Sequence, residues 1–155
     1  MKKEKMNNKG FSLVELIIVI AIMAVLVVVL APQYLKYVER SRNSTDISNA
    51  TALVTAIQVY AADPDATKPF AKGATFSVAV SDSGMAITDT ADGSVAEAFK
   101  EAAIDTTNTK CKSKSKWTSY TIGGKVEDSG AITFTYSGTE FNDAMVGKTT
   151  TTPST

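Results

Sequence analysis

The chain has 155 residues with 16 basic and 16 acidic side chains, room for one modest domain and no net charge that would point to nucleic acid. It contains no histidine and a single cysteine, Cys111, which excludes imidazole acid–base chemistry, His-ligated zinc and any intramolecular disulfide. With no histidine to activate it, Cys111 reads as buried filler or an inert exposed thiol rather than a nucleophile.

Charge is unevenly placed. Residues 1–10 carry Lys2, Lys3, Lys5 and Lys9 against Glu4, so the remainder of the chain is net acidic. A basic start followed by an apolar run is a membrane-targeting pattern. The run is Phe11 to Ala31, 21 residues interrupted only by Ser12 and Glu15. As a helix it is roughly 32 Å long, about the thickness of a bilayer core. The leader lysines favour a cytoplasmic N-terminus, weakened but not reversed by Lys36, Arg40 and Arg42 downstream, and Tyr34 and Tyr37 stand where interfacial aromatics are common.

Beyond Pro32 the pattern becomes amphipathic. Ile47, Ala50, Leu53, Val54, Ile57, Tyr60 and Ala61 recur at spacings of three and four, opposite Asn43, Ser44, Asn49, Thr51, Thr55 and Gln58. One long helix from about Phe11 to Ala62 is therefore expected, ended by Asp63-Pro64. A loop follows over residues 63–73. Strands are expected over Thr75–Val80 and Met85–Asp89, joined by a Ser-Asp-Ser-Gly turn, and again over Lys116–Ile122 and Ala131–Ser137. Ser94 and Glu97 have the spacing of a capping box, which predicts a short helix to about Ile104. The result is an α+β fold, a long N-terminal helix whose second half packs on an antiparallel sheet of about four strands. The domain plan is a basic leader over 1–10, a transmembrane helix over 11–32, a globular domain over 33–147 and a disordered Thr-rich tail over 148–155.

Glu15 decides between uses of the apolar helix. A secretory signal is cut after its apolar region at small residues, and Val29-Leu30-Ala31 has that form, but Pro32 follows the cut and the run is long for a signal. A plain anchor has no reason to hold a carboxylate, whose ionised form in a bilayer costs several kcal/mol by contested estimates. Such a group wants a cation. Lys9 lies about 9 Å of rise away. A cut between Gly10 and Phe11 creates an α-amino cation only four residues from Glu15, at the positive end of the helix dipole.

Lys9-Gly10-Phe11-Ser12-Leu13-Val14-Glu15, with Ala31-Pro32-Gln33-Tyr34 further on, resembles the prepilin processing motif of type IV pilins and type II secretion pseudopilins. The resemblance covers residues 1 to about 40. It implies cleavage after Gly10 by a membrane aspartic peptidase, N-methylation of Phe11 by the same enzyme, and pairing of Glu15 with the N-terminal amine of a neighbouring subunit. It also implies a homopolymer drawn from the membrane by an inner-membrane assembly platform and a cytoplasmic motor. The precursor would cross the membrane once, and the assembled form would be extracellular. Pro32 would kink the helix, and in the family such a proline marks a stretch that loosens in the filament. Ala24, where many relatives have glycine, argues for a stiffer helix here. Adhesion, twitching motility and DNA uptake all remain open as uses. The lone Cys111 makes the chain look more like the cysteine-poor pilins of Gram-positive anaerobes. A pseudopilin of a secretion or DNA-uptake system is the alternative, with no calcium-loop spacing to favour it.

Two weaker signals remain. Lys110, Lys112, Lys114 and Lys116 alternate with Cys111, Ser113 and Ser115, which on a strand puts all four cations on one face. They read either as an adhesive or nucleic-acid-binding stripe or as a solvated edge that discourages strand pairing, and the net acidic remainder favours the second. The Thr-rich tail is a candidate for O-linked sugars. No cofactor or metal is implied, and no enzymatic constellation is present in the sequence.

Overall fold

The computed structural model describes residues 10–90 and 92–147. The expected leader, apart from Gly10, and the expected tail over 148–155 lie outside the described residues. The chain divides into two compact units, one up to Val38 and one from Glu39 onward. Helix α1, Leu13–Ala62, runs through both.

Among the described residues up to Val38, α1 from Leu13 onward is the sole element. It contains an 18-residue window apolar enough, by length and composition, to cross a membrane, and none of that window is buried. The described chain offers this surface no internal partner, which suits a helix whose solvent is lipid or other helices. The helix continues through Pro32 without interruption.

From Glu39 onward the second half of α1 covers a four-stranded antiparallel sheet: β1 (Thr75–Val80), β2 (Met85–Asp89), β3 (Tyr120–Val126) and β4 (Ile132–Tyr136), in the order β2-β1-β3-β4. Ala50, Leu53, Ile57 and Tyr60 are buried as the stripe predicted, joined by Ala56, whereas Ala61 is exposed. They meet Phe76, Val78 and Val80 of β1 and Tyr120 and Ile122 of β3 in one core. Period-two alternation in β1 puts those three side chains on the helix side. Each large apolar side chain so buried is worth about 1.5–3 kcal/mol. Ile132, Phe134 and Tyr136 extend the same face of the sheet.

The remaining elements correct the sequence reading in three places. The third strand begins at Tyr120, not Lys116, and runs on through Gly123 and Gly124. These glycines look like a break in sequence, but Phe76 is registered opposite Gly124 and its ring occupies the space a Cβ there would need. The capping box at Ser94 is not formed. Helix α2, Ser94–Glu101, takes Gly93 as its N-cap in the left-handed region (φ 87°), with no side-chain cap from that residue. Asp89, at the end of β2, instead accepts the Val95 N–H at 2.9 Å, while Glu97 pairs with Lys100 at 3.0 Å. Finally, a short helix α3, Thr139–Val146, follows β4 and buries Phe141. That ring stacks on Tyr120 at 4.5 Å between centroids and meets Trp117 edge-on at 5.3 Å.

Candidate assembly site and the carboxylate strap

The first candidate site is the start of α1. The Ser12 hydroxyl accepts the Val14 N–H at 3.3 Å, and Glu15 Oε2 accepts the Ser12 N–H at 2.8 Å. The Ser12 carbonyl takes the first helical bond, from Leu16, at 3.2 Å. This is a variant of the capping box, with Ser12 at N-cap accepting from the second helical N–H and Glu15, three residues on, reaching back to the Ser12 N–H. Sequence reasoning assigned the box to Ser94 and missed this one, although the spacing is identical. The helix therefore begins at Leu13, and Gly10 and Phe11 stand outside it, exposed. Phe11 is 93% exposed and lines one shallow depression with Glu15, Leu16, Ile18 and Val19. The acid and the residue whose amine would be freed by cleavage after Gly10 thus share one surface of the chain.

The second constellation was not foreseen. Asp46 is fully buried on α1 and accepts from the Lys112 N–H (2.7 Å), the Ser113 N–H (2.8 Å), the Trp117 indole N–H (2.9 Å) and the Cys111 thiol (3.3 Å). Seven residues earlier, and so on the same side of the helix, Glu39 Oε1 accepts the Lys114 N–H (2.6 Å), the Ser115 N–H (2.8 Å) and the Ser113 hydroxyl (3.0 Å). Its other oxygen faces Arg42 at 3.4 Å. Chiefly the Lys114 N–H, against the opposing effect of burial and with help from Ser115 and Ser113, pulls the Glu39 carboxyl down to about 2. Two carboxylates on one helix face therefore hold residues 111–115 as a strap. Asp46 falls in phase with Ala50, Leu53, Ile57 and Tyr60 on the buried face of the helix, but it is polar and its partners are 65 to 71 residues away, so the sequence does not show what it holds.

The strap corrects the reading of the lysines. They do not stand on a strand, so they do not guard a sheet edge. Cys111 and Ser113 point inward and are buried, whereas Lys112, Lys114 and Lys116 are exposed and Lys110 is half-buried. Cys111 is not a reactive thiol. Burial first, and then the adjoining Asp46, push it up to about 12. An open, mostly apolar groove of about 820 Å³ lies between α1 and α2, with Asp63 and Glu101 on its lining. Among the described residues no group of three or more His, Cys, Asp or Glu side chains is placed to hold a metal ion.

Residues 5–31 match the family model described as a prokaryotic N-terminal methylation motif. The chain is 37% identical to a type IV major pilin protein of Myxococcus xanthus over 42% of this chain and 30% of that one. It is 41% identical to a type IV major fimbrial protein of Dichelobacter nodosus over 38% of each chain. With a fimbrial protein of Pseudomonas aeruginosa it shares 35% identity over 57% of this chain and 64% of the relative. The chain thus spans less than two thirds of the length of these relatives. No solved structure gives a significant match. With the methylation motif at its start, pilins and fimbrial proteins among the proteins it resembles and a long helix laid on an antiparallel sheet, the chain is similar to the type IV pilins.

Proposed function

We propose that this chain is the structural subunit of a type IV pilus. It is made as a membrane-inserted precursor, cut after Gly10 by a prepilin peptidase, methylated at Phe11 and polymerised with other copies through α1. An assembly platform in the inner membrane and a cytoplasmic motor supply the machinery, and the product is an extracellular filament. The names of the relatives, pilin and fimbrial protein rather than secretion component, favour this over a pseudopilin.

The observation that carries the reading is the geometry at Glu15 within the matched segment. The scissile Gly10–Phe11 peptide lies ahead of the helix and is exposed, as a peptidase needs. Glu15 is held at the helix start by the Ser12 N–H, where a carboxylate also gains from the helix dipole. Its oxygens have lone pairs beyond the one this bond uses. An incoming methylated amine can therefore pair with Glu15 while the capping box stays closed. In a water-poor bundle an unpaired carboxylate is strongly unfavourable, so this pairing would set the register between subunits. Pro32 would serve as the point where the filament-core helix yields, since it removes one helical hydrogen bond.

The test is the intact mass and N-terminal sequence of protein sheared from the cell surface. A chain starting at Phe11 and heavier by one methyl group is expected. A chain that still starts at Met1, or that stays wholly in the membrane fraction, refutes the reading.

A further inference from the structure

The sheet is open along β4. In an antiparallel ladder only alternate residues turn their N–H and C=O groups toward a given neighbour. The Ser137 N–H donates to the Thr121 carbonyl at 3.0 Å, and the Glu127 N–H donates to the Ala131 carbonyl at 2.8 Å. Both pairs continue the register that sets Ile122 opposite Tyr136. The odd-numbered residues of β4 therefore bond to β3. Ile132, Phe134 and Tyr136 turn their main-chain groups outward, and among the described residues nothing bonds to them there. Their side chains are half-buried on the core face, and Thr133 and Thr135 are exposed on the other. Such an edge is a template for a further strand, and proteins usually blunt it with a lysine, a proline or a bulge. β4 has none of these. The opposite edge, β2, leads into α2, and its Asp89 holds the Val95 N–H.

The strand itself says what fits this edge. Ile132-Thr133-Phe134-Thr135-Tyr136 has the same character from either end: apolar, Thr, Phe, Thr, apolar. A twofold axis at Phe134 sets Ile132 opposite Tyr136 of a second copy, Thr133 opposite its Thr135, and Phe134 opposite itself. The residues with outward main-chain groups then form the narrowly spaced pairs, with about six hydrogen bonds in all. Apolar side chains meet on one face and threonines on the other, pairings that favour antiparallel strands. Like charges directly opposite oppose such pairing, and no charged side chain lies between Asp128 and Glu140. We propose that β4 pairs edge to edge with β4 of a second copy about this twofold axis, and so joins one filament to the next. This rests on the filament reading above. Copies within one filament repeat head to tail, whereas a twofold contact is isologous and closed, so it runs between filaments. One pair of short strands is a small contact, and its repetition along two filaments is what makes it hold.

The experiment uses filaments sheared from cells that express the full chain with Thr133→Cys or with Thr135→Cys. In the twofold register these positions form a pair that is not hydrogen-bonded, with Cα atoms about 4.5 Å apart, inside the range a disulfide spans. The native Cys111 is buried and stays out of the reaction. The two kinds of filament are mixed, left to bundle and mildly oxidised. A covalent dimer is expected from the mixture and none from either kind alone, where each cysteine faces a threonine. A chain carrying both Thr133→Lys and Thr135→Lys sets lysine against lysine. Its filaments should shear normally and lose the low-speed pelleting of the parent bundles. A dimer from either kind alone, as strong as from the mixture, means a different register and overturns the twofold pairing. Intact filaments that give no dimer when mixed, or that pellet equally with the two lysines, overturn the pairing and leave the filament standing. A dimer that forms only once residues 148–155 are removed gives the edge to the chain's own end and overturns it too. Cells from which no filament can be sheared remove the filament reading, and the lateral pairing with it.

Discussion

Glu15 accepts the backbone N–H of Ser12 at 2.8 Å, so the acid expected to join subunits already caps its own helix. The two roles separate by substitution. Glu15→Gln keeps an acceptor for the Ser12 N–H and loses only the charge, since glutamine serves in a capping box. Glu15→Leu loses both. We expect Glu15→Gln to be cleaved after Gly10 at the normal rate but to yield few or no filaments, as scored by precursor processing and by shearing. Normal piliation in Glu15→Gln means that the cap, not the charge, is what assembly uses.

Asp46 is the fixed point of the strap. Replacing it with alanine leaves the Lys112 and Ser113 N–H groups and the Trp117 indole without their acceptor, at a cost of about 3 kcal/mol. Asp46→Asn should recover little, because its amide N–H₂ must face other N–H donors. Urea unfolding followed by fluorescence is a direct measure, since Trp117 is the only tryptophan. An unfolding midpoint within error of the parent protein for Asp46→Asn contradicts this account.

Glu39 makes the strap sensitive to acid. Its folded value of about 2 lies below the ordinary 4.5, chiefly because the Lys114 N–H stabilises the charged form. A depressed carboxyl contributes stability that is complete above about pH 4.5 and is lost as pH falls toward 2. Stability of the parent chain should therefore drop through that window, and Glu39→Gln should flatten the slope there. Parallel pH profiles for the two proteins run against it.

Gly124 is fixed by its neighbour rather than by its backbone. A methyl group at this position meets the Phe76 ring directly. Gly124→Ala is expected to destabilise by about 1–3 kcal/mol, through overpacking. Phe76→Leu in the same chain should return part of the Gly124→Ala loss, and the double-mutant cycle measures the coupling. Strictly additive losses argue that the ring and the glycine are independent.

The Cys111 thiol, raised to about 12 by burial and by Asp46, should resist alkylation in the folded chain near neutral pH and react at once on unfolding. Asp46→Ala should shorten the protection time by loosening the strap. Rapid labelling of the folded parent chain is the contrary outcome.

The sequence was readable where a pattern is local. Strands β1 and β2 fall on the expected residues because their alternation is bounded by a loop and a tight turn. Helix α1 ends where Asp63-Pro64 ends it. Elsewhere the deciding partner is distant. Ser-x-x-Glu occurs at 12–15 and at 94–97, and the first forms a box while Asp89 takes over at the second. The strand through Gly123-Gly124 depends on Phe76, nearly fifty residues earlier in sequence. Asp46 is in phase with the apolar stripe, but the donors it meets are distant in sequence, and the strap it holds took the lysines out of the strand that their alternation suggested. In α3, Phe141 has only Ala144 and Met145 as apolar residues at helical spacing, too little for periodicity to show.

The strap is held by main-chain N–H groups at positions 112 to 115, and every residue except proline carries that group. The outward side chains at 112 and 114 take no part in the fastening. They can change sign, size or chemistry while the backbone beneath them keeps its course. If the chain is copied many times along a filament, each such change is repeated at every copy, so one codon rewrites the whole exterior of the fibre without asking anything of the core.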